Sequence, residues 1–197
     1  MDKLSYALGL SFGQHLAQSG IEVSDYQSFA KGIEAVLEGK LPEVDIEECQ
    51  KILMEYFENM EKNAAAKATS AKKEGEDFLA ENTKRPEVKT TSSGLQYEII
   101  NEGSGKKPSA TDKVRVHYHG TLIDGTVFDS SVERNSPATF GVNQVIQGWV
   151  EGLQLMNVGA KYKLYIPSDL AYGAHGAGDL IKPHSALVFE VELLDIL

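Results

Sequence analysis

The spacing of apolar residues changes near residue 90, and this change restricts what the chain can fold into. Before it, Leu4, Leu8, Phe12 and Leu16 recur every four residues along one helical face. After it the period is two. Val114, Val116 and Tyr118 share one strand face, with Arg115, His117 and His119 opposite. Leu187, Phe189, Val191 and Leu193 do the same against Glu190 and Glu192. A helical first part and a sheet-forming second part follow, so the fold class is α+β rather than a repeated βαβ array.

Punctuation divides the helical part. Gly20 closes the first helix. Ser24 with Gln27 forms a capping-box pattern that opens a second, whose stripe is Phe29, Ile33, Val36 and Leu37 and whose end is Gly39. Asp45 with Glu48 starts a third, striped by Ile46, Leu53, Tyr56, Phe57 and Met60. Residues 61–84 are rich in the helix formers Ala, Lys and Glu and free of proline. One helix over 45–82 would be about 57 Å long. Its second half is expected to be a solvated spacer, with Gly75 its weak point and Pro86 its limit. The stripes of residues 1–60 make a small core for a free-standing domain. Gly9 and Gly13, four apart, would admit another backbone. A homodimer through residues 1–60 is therefore expected.

In the second part, Leu95–Ile99 reads as a strand, and Tyr162, Leu164 and Ile166 alternate with Lys161, Lys163 and Tyr165. Asp124-Gly125 is a hairpin turn. Trp149, Val150, Leu153 and Met156 mark one short helix among the strands. The expected organisation is a helical dimerisation domain over 1–60, a helical spacer over 61–87, and a sheet domain with one short helix over 88–197.

Charge and composition exclude several classes. The net charge is −10, of which −7 falls in residues 1–87 and −3 in residues 88–197. Such a chain is a poor partner for nucleic acid or an anionic membrane. No apolar run reaches the length of a membrane span, and the first residues lack a signal-peptide pattern. Cys49 is the only cysteine, so no internal disulfide forms. A cytoplasmic location is expected, or a periplasmic one if a leader has been removed.

Familiar chemical motifs fail. Gly103-Ser104-Gly105-Lys106-Lys107 lacks the phosphate-loop spacing and reads as a turn. No nucleophile elbow is present. His117 and His119 share a strand face, but no cysteine or carboxylate cluster joins them in sequence, so no metal is expected. What stands out is an excess of aromatic residues in the last domain: Tyr118, Phe128, Phe140, Trp149, Tyr172 and Phe189. On composition alone these are core.

Three blocks around them change that reading. They are Val116–Ser131 (VHYHGTLIDGTVFDSS), Val145–Leu153 (VIQGWVEGL), and Ile166-Pro167 through Ala171-Tyr172-Gly173 to Pro183-His184 and Leu187–Leu193. In order and spacing, across about 110 residues, they resemble the FKBP family of prolyl isomerases. The leading helices resemble those of its Mip-like bacterial branch, in which a helical module dimerises and a long helix carries each catalytic domain.

The resemblance implies a bent antiparallel sheet wrapped around one short α-helix, and peptidyl-prolyl cis-trans isomerisation with no cofactor. It implies Tyr118, Phe128, Asp129, Tyr172 and Phe189 as catalytic residues. It implies Phe140, Val145, Ile146, Trp149 and Ile181 as substrate-binding residues, with Trp149 as the floor. The Ile146 N–H and the Tyr172 hydroxyl would bond to ligand carbonyls, and Asp129 would orient polar groups at the edge. Partners would be proline-containing peptides, unfolded proteins and FK506- or rapamycin-like macrolides. Ala138 and Ala177 stand where other members carry larger side chains, which would thin the rim. The alternative is a dimeric holdase-type chaperone that binds unfolded chains, with isomerisation incidental.

Overall fold

A computed structural model describes residues 1–197, which divide into two compact units, Met1–Asn59 and Met60–Leu197.

The first unit holds α1 (Lys3–Gln18), α2 (Tyr26–Glu38) and the start of α3 (Ile46–Asn82). Carboxylates open all three helices. Asp2 accepts the Ser5 N–H at 2.7 Å, and Asp45 accepts the Glu47 N–H at 2.8 Å. The cap of α2 is Asp25, one residue beyond the expected Ser24. Asp25 accepts from the Gln27 and Ser28 N–H groups, and the Ser28 hydroxyl donates back to it at 2.7 Å. A charged acceptor with a reciprocal hydroxyl outcompetes the neutral serine. Gly39 adopts the left-handed conformation, φ 62°, that ends α2. No residue of 1–59 is buried. The stripes are present but face outwards, with Leu8 62%, Phe12 60% and Leu53 54% exposed.

The second unit is a seven-stranded antiparallel sheet with α4 (Gln147–Leu155) against it. The strands are β1 (Val88–Thr90), β2 (Gln96–Asn101), β3 (Lys113–Leu122), β4 (Val127–Ser130), β5 (Ala138–Gly141), β6 (Lys161–Ile166) and β7 (Leu187–Ile196). Their order is β1-β2-β6-β7-β3-β4, and β5 pairs with the first half of β3. Register shifts in β3 fall at Arg115/Val116 and Gly120/Thr121. Bulges of this kind bend a strand, and here they let β3 hand over from β5 to β4. The core lies on the inner face: Val114, Val116, Leu164, Ile166, Leu187, Val191 and Leu193 are fully buried, with Leu153 and Met156 from the helix side.

Two glycines set how close α4 comes. A Cβ at Gly148 would lie 2.5 Å from Ile166, and one at Gly152 would lie 2.8 Å from Leu164. Four residues apart, they form a flat strip that seats α4 on β6. The next position round the helix from Gly148 is Trp149, which is thereby directed at the concave side of the sheet.

The outer face of the sheet corrects an expectation. The second half of α3 is not a solvated spacer. Ala71, Gly75, Phe78, Leu79 and Asn82 recur at helical spacing, and all are buried or half-buried. Gly75 is a contact point rather than a weak one, since a Cβ there would sit 3.0 Å from the Ala186 Cβ. Phe78 packs on Tyr165, with centroids 6.1 Å apart. The Gln96 amide, buried beneath the helix, donates to the Leu79 carbonyl at 2.9 Å and the Thr83 hydroxyl at 2.7 Å. It accepts from Asn82 at 2.8 Å. Arg85 donates to Tyr165, Glu87 and Glu98 at 2.6–2.9 Å. Tyr165 and Gln96, which alternation assigns to water, are covered because α3 lies there.

Candidate functional site

All ten residues singled out from the sequence line one open cavity of about 710 Å³. They arrive from seven pieces of the fold. Tyr118 comes from β3, Phe128 and Asp129 from β4, Phe140 from β5, and Phe189 from β7. Val145 and Ile146 lie in the turn before α4, and Trp149 in its first turn. Tyr172 and Ile181 bracket the long loop between β6 and β7.

The floor is a set of edge-to-face aromatic contacts around the indole. Trp149 meets Phe189 at 5.2 Å and 80°, Tyr118 at 5.4 Å and 81°, and Phe140 at 5.8 Å and 90°. Phe128 meets Phe189 at 5.3 Å and 83°. These are favoured arrangements for aromatic pairs, and they fix ring orientation as well as position. Trp149 is only 4% exposed, yet its ring borders the opening, and its Nε1–H has no partner.

Polar groups are few, and they divide into satisfied and free. Asp129 accepts from the Tyr118 hydroxyl and from the Arg134 guanidinium, whose second nitrogen donates to the Tyr118 hydroxyl at 3.0 Å. Burial alone would raise the Asp129 carboxyl. Bonds from Tyr118 and Arg134, with the charge of Arg134, outweigh burial and hold it below its ordinary value. Tyr118 moves up, through burial first and then through its bond to Asp129, with Arg134 opposing. The carboxylate is thus ionised and spoken for. The Ile146 N–H, at the start of α4, has no acceptor within the chain. The Tyr172 side chain, 39% exposed, also has no partner. These two donors remain available to a ligand.

Sequence reading missed several residues here. Arg134 completes the Asp129 and Tyr118 triangle, brought back by a tight turn in which Asn135 takes φ 49°. The signal available was a lone cation five residues after Asp129. Gln144, Gly178, Asp179 and Leu180 also line the cavity. Of the two small rim residues, Ala177 lines it, and bridges to Ile181 at 2.8 Å and 3.2 Å. Ala138 packs against the core instead. His117 and His119 lie off the cavity and bond to Ser131 and Ser130, each at 3.0 Å.

Residues 104–194 match the family model described as FKBP-type peptidyl-prolyl cis-trans isomerase. Residues 1–99 match the model of the domain amino-terminal to such isomerases. The FKBP-type 22 kDa peptidyl-prolyl cis-trans isomerase of Escherichia coli strain K12 is 50% identical over 193 residues, 98% of this chain and 94% of that protein. The chain belongs to the FKBP-type peptidyl-prolyl cis-trans isomerases.

Other members of this FKBP family fit the same reading. The Outer membrane protein MIP of Legionella longbeachae is 39% identical over 199 residues, 99% of this chain and 85% of that one. The crystal structure of FkpA from Escherichia coli superposes with a TM-score of 0.72 at 36% identity, covering 98% of this chain and 95% of that one. The protein is an FKBP-type isomerase with proline-containing peptides as substrates. The holdase alternative, with isomerisation incidental, is not favoured.

Proposed function

We propose that the Xaa-Pro bond turns inside the Trp149 cavity, with Tyr118, Phe128, Asp129, Tyr172 and Phe189 acting on the amide. Phe140, Val145, Ile146, Trp149 and Ile181 hold the chain. The observation that carries this is an aromatic hollow whose inner carboxylate, Asp129, is already paired while two hydrogen-bond donors at its edge are free.

Rotation about a peptide bond must break amide resonance, against a barrier of about 18–20 kcal/mol. At the twisted midpoint the carbonyl oxygen carries less negative charge, so the midpoint needs less solvation than the planar amide. An apolar cavity therefore favours it. Edge-on aromatic walls exclude water, and the flat indole forms a floor for the pyrrolidine ring. The Ile146 N–H and the Tyr172 hydroxyl bind carbonyls on either side, so that only the bond between them turns. No proton transfer is required, and the Asp129, Arg134 and Tyr118 triangle keeps the Tyr118 ring in place.

The test is cis-to-trans conversion of a short Xaa-Pro peptide by purified protein, followed by NMR exchange. Phe128→Ala is expected to lower kcat/KM about tenfold, equivalent to about 1.4 kcal/mol. Unchanged turnover in both Phe128→Ala and Trp149→Ala would place the reaction elsewhere. An FK506-like macrolide is expected to occupy the same cavity and to compete with the peptide.

The second unit accounts for isomerisation, which leaves the first for association. With no residue of 1–59 buried in a single chain, the supporting reading is a homodimer through these helices. The cytoplasmic expectation gains no support, since one relative is named as an outer membrane protein. Export to the periplasm fits that name better. Cell fractionation of the natural host decides it, with recovery in the osmotic-shock fraction expected.

A further inference from the structure

We infer that the isomerase selects prolines flanked by cationic side chains, through Asp179 at the rim of the cavity. This rests on the cavity being the substrate site.

Two carboxylates and no lysine or arginine line the cavity. Asp129 is compensated by Arg134, so that pair presents little net charge. Asp179 differs. It lies on the exposed stretch Gly178–Leu180 of the long loop, and it makes neither a hydrogen bond nor an ion pair. Its neighbour Leu180 is 46% exposed and Tyr172 39%. Among the charged groups that line the cavity, Asp179 is thus the one without a counter-ion.

Placement beside a hollow of low polarity makes that charge effective. Low-dielectric walls focus field lines towards the opening, and the net charge of −10 adds the same sign at longer range. A peptide whose proline enters the cavity must pass its flanking side chains over the rim. Lysine or arginine there meets an unpaired carboxylate, whereas glutamate or aspartate meets a like charge. Because Asp179 is exposed and unpaired, no internal contact has to break for it to act. The geometry therefore separates substrates by charge without altering the floor on which the proline sits.

The experiment measures kcat/KM by NMR exchange for three matched peptides, Ala-Lys-Pro-Lys, Ala-Glu-Pro-Glu and Ala-Leu-Pro-Leu, with the full-length protein. At about 10 mM salt the screening length is about 30 Å, and the Lys peptide is expected to exceed the Glu peptide about three- to tenfold. At about 1 M salt, with screening at about 3 Å, the ratio should approach one. Asp179→Asn should lower the low-salt ratio several-fold, and Asp179→Lys should invert it. Good turnover of the Leu peptide with equal Lys and Glu rates would overturn the selectivity and leave the isomerase site standing. A ratio unmoved by either Asp179 variant would also overturn it. No turnover of any of the three peptides would overturn the site assignment, and the selectivity with it.

Discussion

Arg134 shows how much one side chain can organise. It donates to Asp129 and to the Tyr118 hydroxyl, and its guanidinium lies 5.9 Å from the centre of the Tyr118 ring. Removing it leaves Asp129 half-buried beside a single hydroxyl. Arg134→Ala is expected to lower kcat/KM about three- to tenfold, because Tyr118 loses one of the two groups that orient it. The pH dependence follows from Asp129. Its native pKa lies below the unfolded value, so its contribution to stability is complete above about pH 4 and is lost as pH falls through the lowered native value. Urea midpoints of wild type and Asp129→Asn should therefore differ at pH 7 and converge as pH falls through the lowered native value. A gap that stays constant down to acid would mean that the carboxylate is not held by these bonds. The ten cavity-lining residues, Phe140 apart, were legible through three sequence blocks. Arg134 and Asp179 were not, because each lies in a loop whose return path only the fold defines.

At the scale of elements, the second half of α3 is where sequence reading and structure part. Residues 61–84 carry mostly small or charged side chains, so a buried face was not visible in them. What creates it is a partner that periodicity cannot name, namely the outer side of β2, β6 and β7. Gly75 is its signature. A glycine in a helix of good formers reads as a defect worth about 1 kcal/mol, whereas here it is the point of closest approach to Ala186. Gly75→Leu is expected to destabilise the second unit by about 1–3 kcal/mol through overpacking, measured by urea denaturation. Gln96→Leu should cost a similar amount, about 1–3 kcal/mol, by leaving the Asn82 amide without its acceptor and the Leu79 carbonyl without that donor. Stability unchanged in both would mean that α3 is not held to the sheet. The strands and α4, by contrast, were legible, because their inner faces alternate cleanly and Trp149 and Leu153 point the same way.

For the molecule as a whole, the unequal burial of its two units demands an explanation. The second unit has a closed core of fully buried Leu, Ile, Val and Met side chains. The first has capped helices and apolar stripes in the expected places, but nothing covers them within one chain. Leu4, Leu8 and Phe12 on α1, and Leu53 and Phe57 on α3, each remain 46–70% exposed. Apolar surface of this kind is favourable to bury, at about 25 cal/mol per Å², and a second copy of the same helices would supply a matching face. Light scattering is expected to give twice the 21.5 kDa chain mass at micromolar concentration. Phe12→Glu, which already faces outwards in the single chain, should lower the mass to that of one chain without disturbing the sheet unit. Turnover of a short Xaa-Pro peptide should then stay near wild type, since the cavity draws no residue from 1–59. Refolding of a proline-limited protein substrate should slow if two cavities act on one long chain, since tethering raises the effective concentration of the second. A wild-type protein with the mass of one chain would leave those stripes uncovered and remove the basis for assigning residues 1–59 to dimerisation.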